Sequence, residues 1–277
     1  MIKMLKSSYL LFIGLMMSFT LLGQNSNIEV DNEFTNLFAR DCCGVTGADG
    51  MYSVLMPNGQ TLWIFGDSFL GTVNEDGSRD KIDPVFVRNA VALQNGDELK
   101  TYFNTHDGRD ASFLIPPNAP VGKVYSEDSL WFWPGDAYVE GETLKIYLSA
   151  FYQAGEGGWG FKWTGCWLAS LNVSDLSLIS MDEIDIPMEP EIHWGHAVCD
   201  EDKDHLYIYG LGDGKPYVAR VDKNKDGSCN DEDVNNWEYY SNKKWTTDYQ
   251  KISPMYDFQG SEQFSVFKHG DKYIYLS

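Results

Sequence analysis

The sequence has 277 residues, of which 41 are Asp or Glu and 21 are Lys or Arg, so its formal charge at pH 7 is −20. Such an excess of negative charge repels nucleic acids and anionic membrane surfaces, and it disfavours polyanionic substrates. Neutral or cationic partners and bound cations are compatible with it.

The first residues have the three parts of a secretory signal. Two lysines precede an apolar stretch over residues 10–22, and the small residue Gly23 follows. The stretch is short for a membrane span, and a polar segment comes after it. We therefore expect a signal peptide over residues 1–23, cleaved near Gly23, and a secreted or periplasmic domain over residues 24–277.

Five cysteines follow the signal segment. Export permits disulfides, but the count is odd and no metal-ligand spacing is present. A bond between two adjacent cysteines would close a strained ring, so we expect most of the thiols to be free or buried. The five are Cys42, Cys43, Cys166, Cys199 and Cys229.

Short alternating apolar runs between turn signals dominate the rest of the chain, and long helical periodicity is nearly absent. The chain contains 16 Tyr, 15 Phe and 9 Trp, residues that favour strands. The segments "PNG", "QNGDE", "VEGE" and "KHGD" predict hairpin turns, because glycine accepts a positive φ there. The pattern predicts an all-β fold.

The runs fall into four units that start at residues 48, 134, 194 and 260. Each of the first three has a strand, a turn, an aromatic strand and two further strands, spaced by about 60 to 85 residues, which predicts a β-propeller with four-stranded blades. A β-sandwich with irregular Greek-key loops is the alternative. The fourth unit stops in its second strand and would leave an exposed edge. We therefore expect about three and a half blades of a five-bladed propeller, with the C-terminal blades missing.

Four titratable residues stand where the inner strand of each unit begins: Asp49, Asp136, His196 and Glu262. Inner strands line the central channel of a propeller, so these side chains are expected to converge on one mouth. Glycoside hydrolysis requires a carboxyl pair, an acid that protonates the leaving oxygen and a base that activates water. As alternatives, Asp49 and Glu262 could cap turns, and His196 could be a satisfied core residue.

The chain resembles the five-bladed propeller glycosidases, which include arabinanases, xylosidases and levansucrases, and allied uncharacterised bacterial propeller families. Asp49 stands before "GMYSVLMPNGQTLWIFGDS" as the first-blade aspartate of that superfamily does, and Glu262 stands before "QFSVFKHGDKYIYLS" as its later glutamate does. The resemblance implies that Asp49 is the base or nucleophile and Glu262 the general acid. The family's third aspartate, which orients the acid, corresponds to Asp136 or His196. Histidine departs from the pattern, and a cationic His196 would favour an anionic sugar or could itself serve as the acid.

Two tryptophans and one polar pair are the candidate substrate contacts. Trp133 and Trp194 precede inner strands, where they could stack on sugar rings, although packing between blades is the alternative. Arg88 and Asn89 place a charge and an amide in an apolar strand, which suggests that they face the channel. Asp67, at the end of a strand, is expected only to tie a turn.

The segment "DKNKDGSCNDED", residues 222–233, matches a calcium-binding loop. Oxygen-bearing side chains at alternating positions can wrap a hard cation, and Gly227 allows the sharp turn. Aspartate at the last position, where glutamate is usual, is a departure. We expect a structural calcium ion between two outer strands, with a solvated acidic turn as the alternative. The predicted ligands are Asp222, Asn224, Asp226, Ser228, Asn230 and Asp233.

These features together predict an exported glycoside hydrolase that acts on a neutral polysaccharide and needs no redox cofactor. A propeller that binds glycans or proteins without catalysis is the first alternative. A third possibility is a lyase in which His196 and a tyrosine transfer protons on a uronate polymer, which the acidic composition disfavours.

Overall fold

The structure, a computed structural model, describes residues 29–79, 84–106, 109–117 and 129–277. The signal peptide predicted for residues 1–23 lies outside these ranges. Antiparallel sheets make up most of the described chain, as the alternating pattern predicts. None of its helices has the length and apolar character to span a membrane.

The N-terminal part holds one helix, α1 (Asn32–Phe38), and nine strands. In chain order the strands are β1 (Val45–Ala48), β2 (Tyr52–Leu55), β3 (Thr61–Phe65), β4 (Ser68–Gly71), β5 (Pro84–Val87), β6 (Ala90–Asn95), β7 (Glu98–Tyr102), β8 (Asn104–His106) and β9 (Arg109–Ala111). Sheet 1 has the order β2-β3-β6-β7. Strands β1, β4 and β5 form a separate sheet, and β8 pairs with β9.

The remaining strands form three further sheets along the chain. They are β10 (Leu130–Glu140), β11 (Thr143–Gln153), β12 (Phe161–Asn172), β13 (Leu178–Ile184), β14 (His193–Cys199), β15 (His205–Gly212), β16 (Lys215–Asp222), β17 (Trp237–Ser241), β18 (Lys244–Thr246), β19 (Ser265–His269) and β20 (Lys272–Leu276). Sheet 2 contains β10 to β13, sheet 3 contains β14 to β18, and sheet 4 contains β19 and β20, each in sequence order. Short 3-10 helices span Val234–Asn236 and Tyr249–Lys251.

The hairpin turns lie where the local sequence predicts them. Each of the four turns contains a glycine with a φ between +60° and +84°, a conformation that other residues adopt only with strain. At the first, Gly59 N donates to Met56 O at 2.9 Å and closes the β2–β3 hairpin. The other three turn glycines are Gly96, Gly141 and Gly270.

The first strands of the four sheets lie side by side: β2 against β10, β10 against β14, and β14 against β19. At one crossing the two backbones nearly touch, because a Cβ on Gly135 would lie 2.1 Å from Gly195 O. The sheets therefore diverge from a common line formed by their first strands. This arrangement brings the ends of four distant segments to one place.

The hydrophobic core consists of separate layers between consecutive sheets. Leu62 and Ile64 of sheet 1 pack against Leu144 and Ile146 of sheet 2. Between sheets 2 and 3 the layer is aromatic, and between sheets 3 and 4 it contains Phe264. Strand β11 is buried along most of its length because it has a packed sheet on each face.

The cysteines divide into an adjacent pair and three separate thiols. Cys42 and Cys43 are joined by a disulfide, the bond between neighbours that the strain of its ring made unexpected from the sequence. Cys166, Cys199 and Cys229 are free thiols and are buried, as expected for most of the five.

Candidate active-site cleft

A cleft of about 440 Å³ opens where the first strands of the sheets meet. Asp49, His193, His196 and Glu262 line one part of it, and aromatic side chains line another. Three of the four titratable residues predicted to converge, Asp49, His196 and Glu262, thus lie on one cleft. The fourth, Asp136, does not line this cleft; together with Tyr52 it lines a different pocket.

Asp49 is held by the loop that follows β3. Its backbone N donates to Asp67 O at 3.1 Å, and Gly66 N donates to Asp49 O at 2.9 Å. Gly66 is small enough for the carboxylate to fit closely, since a Cβ there would lie 3.0 Å from Asp49 Oδ1. Burial raises the pKa of Asp49. A carboxyl group with a raised pKa beside a cleft is a candidate for proton transfer.

Asp67 forms a second carboxyl group beside Asp49. It accepts a hydrogen bond from Trp133 Nε1 at 2.7 Å, and its Oδ2 lies 3.3 Å from Arg88 Nη1. Burial raises the pKa of Asp67 despite these two donors, and the charge of Asp49 adds to the rise. The sequence analysis treated Asp67 as a turn residue. Its position 18 residues after Asp49, across the β2–β3 hairpin, is the signal that could have placed it there.

A bulge in β14 brings two histidines to the cleft. Trp194 pairs with Gly210 and Ala197 pairs with Tyr209, so Gly195 and His196 are additional residues in the strand. Gly195 has a φ of +89°, and a Cβ there would lie 2.2 Å from Tyr147 Cβ. In a regular strand, side chains three residues apart face opposite sides. The bulge breaks this alternation, and both His193 and His196 line the cleft.

His196 is largely buried and faces Glu262. Its Nε2 lies 3.8 Å from Glu262 Oε2 and has no hydrogen-bond partner in the described part of the chain. Burial lowers the pKa of His196 to about 4 and the nearby His193 contributes to this shift, while the backbone of Glu262 opposes it. The ring is therefore neutral at neutral pH, so it does not supply the positive charge that the sequence analysis considered. The ligand-type atoms of His193, His196 and Glu262 all lie within 4.8 Å of one another.

Asp136, which lies outside the cleft lining, joins β10 to β14. Its two carboxylate oxygens accept from Ala137 N and Val198 N, each at 2.9 Å. Burial raises the pKa of Asp136 to about 7, although these amides oppose the shift. Tyr52 lines the cleft, and its pKa is raised by burial and by the charges of Asp136, Glu262 and Asp49. Sequence reasoning missed Tyr52, although it is the first residue of an inner strand.

The aromatic part of the cleft is built on sheet 2. Trp133 contributes there as predicted, with its ring 4.6 Å from Phe151 and 5.0 Å from Phe161. Trp159 is 92% exposed at the rim. Trp194, the other predicted stacking surface, is only 1% exposed and lies in the aromatic core between sheets 2 and 3. Its neighbour His193 faces the cleft. Because adjacent residues of a strand face opposite sides, Trp194 faces the core.

Arg88 and Asn89 support the cleft from behind. The Arg88 guanidinium lies 4.3 Å from the ring centroid of Trp131 and holds Asp67 as described above. Asn89 is 1% exposed and bridges two segments, because its Nδ2 donates to Leu114 O and Phe132 O. Asn89 therefore has no surface for a substrate, and its buried amide is satisfied by backbone groups.

The predicted calcium loop contains a turn that closes on itself. Asn224 N donates to Ser228 O at 2.7 Å, and Asp226 Oδ1 accepts from Ser228 N and Oγ. The same turn, with the same bonds, recurs in "NEDGS" at residues 74–78. The local sequence Asn-x-Asp-Gly-Ser is therefore sufficient for this turn.

The outer predicted ligands of the loop also have protein partners. Asp222 Oδ1 lies 3.3 Å from His205 Nε2, and Asp233 caps a 3-10 helix by accepting from Asn235 N. Asn230 O accepts from Asn236 Nδ2. Only the Asp222 and Asp233 partners are held by side-chain oxygens that would bind calcium, and these carboxylates keep further lone pairs for an ion.

Asp231, which sequence reasoning passed over within the same loop, is fully buried. Lys145 Nζ donates to its Oδ1 at 2.7 Å, and Tyr147 OH donates to its Oδ2 at 2.6 Å. Trp237 Nε1 donates to its backbone O at 2.8 Å. The loop therefore anchors sheet 3 to sheet 2 through a buried ion pair.

The chain is similar to a solved structure and matches one family model. A solved structure from Bacteroides ovatus ATCC 8483, a protein named as a "putative hydrolase", is similar with a TM-score of 0.70 at 24% identity. The match covers 88% of this chain, which spans 66% of the length of that protein. No curated protein matches the chain. The model of the domain of unknown function DUF5005 matches residues 31–277, and the chain therefore belongs to the DUF5005 family.

Proposed function

We propose that the protein is an exported glycoside hydrolase that cleaves a neutral polysaccharide or oligosaccharide in the cleft. The observation that carries the proposal is the pairing of carboxyl groups with an aromatic wall in one cavity. Asp49 and Glu262 supply the carboxyl groups, and Trp133 and Phe161 belong to the wall. Sugar rings have apolar faces that stack on aromatic rings and hydroxyl groups that bind carboxylates.

In this proposal Asp49 is the base and Glu262 is the acid, as the resemblance to propeller glycosidases implies. Asp136 and His196 are the groups that tune the acid or hold the substrate. Asp67 is a second candidate for the acid, because burial and Asp49 both raise its pKa. A general acid must keep its proton near neutral pH, and a raised pKa favours this.

We also take sheets 1 to 4 as successive blades of a five-bladed propeller. The side-by-side packing of β2, β10, β14 and β19 supports this interpretation. Export through the predicted signal peptide and a structural calcium ion at residues 222–233 remain parts of the proposal.

The test is the release of reducing ends from a panel of neutral polysaccharides, including furanose-containing ones. The natural protein should cleave one of them, and Asp49→Asn should lower the rate by about 10²–10⁴-fold, the contribution of general acid–base catalysis. Asp67→Asn and Glu262→Gln, assayed on the same substrate, identify the acid. A substrate whose leaving group needs no proton does not depend on the general acid. It should therefore restore the cleavage rate only in the variant that lacks the acid.

A binding propeller without catalysis is the second candidate, and one observation favours it. Asp67 is tied to Arg88 and Trp133, as in a structural carboxylate. If no polysaccharide is cleaved but one binds the natural protein and Asp49→Asn equally, the hydrolase proposal fails and the cleft is a binding site.

A further inference from the structure

We propose that His193, His196 and Glu262 bind one divalent transition-metal ion of the zinc class at the side of the cleft. Their ligand-type atoms all lie within 4.8 Å of one another. Ligand atoms around a tetrahedral zinc ion are about 2.0–2.2 Å from the metal and hence about 3.3 Å from each other. The measured separation of 3.8 Å between His196 Nε2 and Glu262 Oε2 is close to this geometry and too long for a hydrogen bond.

The second observation is the state of His196 Nε2. This atom is buried and has no hydrogen-bond partner in the described part of the chain. Buried polar atoms in folded proteins nearly always have a partner, so an orphan points to a ligand that the protein chain does not provide. Here the unpartnered atom faces a carboxylate across a gap that one ion would fill.

The surroundings of His193 fit a metal ligand as well. Its Nε2 lies 3.0 Å from Glu191 Oε1, and its ring stacks on Trp163 at 4.7 Å. Histidines that bind metals usually use the second ring nitrogen in a hydrogen bond to a carboxylate or carbonyl group, which fixes the ring orientation. Glu191 and Trp163 together fix the orientation of His193 in this way.

The donor set selects the kind of metal. Two imidazole nitrogens and one carboxylate suit zinc and similar transition metals, whereas calcium needs six to eight oxygen ligands. The Glu262 side chain is 74% exposed, so the site opens on the cleft. Three protein ligands with an open side leave room for a water molecule or a substrate group.

The inference does not rest on the glycosidase proposal, because it concerns metal binding alone. It does bear on the choice of acid there. A Glu262 that binds zinc is not free to protonate a leaving group, and Asp67 would then take that role.

The experiment is a direct binding measurement on the complete mature protein without a histidine tag. After treatment with EDTA and dialysis, zinc is titrated by calorimetry, and cobalt is added separately to record its visible absorption. We expect one zinc ion per chain and a cobalt spectrum typical of a tetrahedral site. Glu262→Gln, an exposed change that should not affect folding, and His193→Gln should each weaken zinc binding at least tenfold.

His205→Gln is the matched control. His205 also contacts two carboxylates, Asp202 and Asp222, but lies outside the cleft. Zinc binding that persists in Glu262→Gln and His193→Gln, or that is lost in His205→Gln, would overturn the assignment. So would the absence of zinc binding by the natural protein. Calcium that binds as tightly as zinc and depends on Glu262 would overturn the choice of metal.

Discussion

Two clusters of titratable side chains differ in how completely the fold compensates their burial. The Lys145 cluster, which consists of Lys145, Tyr147, Asp231 and Glu140, joins sheets 2 and 3. Lys145 Nζ lies 2.7 Å from Asp231 Oδ1 and 3.2 Å from Glu140 Oε2. The Tyr147 hydroxyl group donates a hydrogen bond to Asp231 Oδ2. Burial opposes the charge of Lys145, but Asp231 outweighs it and the pKa of Lys145 is raised. Every charge in this cluster has a partner.

The cleft cluster, which consists of Asp49, His196 and Glu262, is compensated less completely. Burial alone accounts for the raised pKa of Asp49, and Nε2 of His196 is unpartnered in the described chain. Groups left in this state are destabilising, and proteins keep them where a ligand or a reaction needs them. The comparison therefore separates a fully compensated cluster from an incompletely compensated one, and the second is the one to which we assign the proposed function.

The largest expected effect on stability is at Asp231. Asp231→Asn keeps the shape of the side chain but leaves Lys145 charged and buried without its main partner. We expect a loss of about 3–5 kcal/mol in the free energy of unfolding, the usual result of breaking a buried ion pair. The measurement is urea unfolding followed by tryptophan fluorescence.

Two variants with the same chemical change serve as controls. Asp49→Asn, in the cleft cluster, should leave stability unchanged or raise it, because the carboxylate there has no buried cation as a partner. Asp248→Asn removes an exposed pair with Lys251 that has the same 2.7 Å separation, and should change stability far less than Asp231→Asn, because solvent screens the pair. A loss at Asp49 as large as that at Asp231 would remove the distinction between the clusters.

Asp136, which belongs to neither cluster, is expected to make stability depend on pH. Its pKa is about 7 in the folded protein, compared with about 3.9 in the unfolded chain. Between these values the folded state binds one more proton, so the free energy of unfolding falls as pH rises. Relative to Asp136→Asn, the natural protein should lose up to about 4 kcal/mol from pH 4 to pH 8, since one pKa unit corresponds to about 1.4 kcal/mol.

The measurement is the difference in unfolding free energy between the natural protein and Asp136→Asn at several pH values. Taking this difference removes the contributions of all other titrating groups that the substitution leaves unchanged. Asp248→Asn, which alters an exposed carboxylate with a lowered pKa, should show a constant difference between pH 5 and pH 8. A constant difference for Asp136→Asn would mean that its two amide donors compensate its burial fully.

The sequence predicts well the features that depend on neighbouring residues. The turns at Gly59, Gly96, Gly141 and Gly270 follow from local chemistry, because a positive φ selects glycine wherever the turn occurs. The alternating apolar pattern places β2 and β3 correctly, because this pattern also depends only on neighbouring residues. The approach of Asp49, His196 and Glu262 follows from the order of the strands once the repeat is seen.

The features that sequence reasoning missed depend on contacts between distant segments. The bulge at Gly195 exists because β14 passes close to Tyr147, and only this bulge brings His193 beside His196. Asp231 lies among acids of a loop, and nothing local distinguishes the one that meets Lys145. Trp194 shows the same limit, since a tryptophan at a strand end can face the cleft or the core.

The smallest expected effect concerns the loop that delivers Asp231 to the Lys145 cluster. The turn at residues 224–228 closes by its own hydrogen bonds, as its counterpart at 74–78 does, so the loop does not need an ion to form it. A calcium site of the extracellular kind, with a Kd of about 10⁻⁴–10⁻³ M, would add only about 1–2 kcal/mol at 5 mM calcium. We expect calcium to raise the unfolding temperature of the natural protein by the shift that corresponds to this free energy. Magnesium should raise it less.

Asp222→Asn tests the contribution of the calcium ion separately from that of the turn. The Asp222 side chain is 87% exposed and takes no part in the hydrogen bonds of residues 224–228. The substitution should abolish the calcium shift and leave the metal-free stability nearly unchanged, whereas Asp226→Asn should lower both. If calcium shifts neither the natural protein nor the variants, the loop is a self-contained turn like 74–78. Its contribution to the fold is then the placement of Asp231 alone, and the Lys145 cluster needs no ion to hold sheets 2 and 3 together.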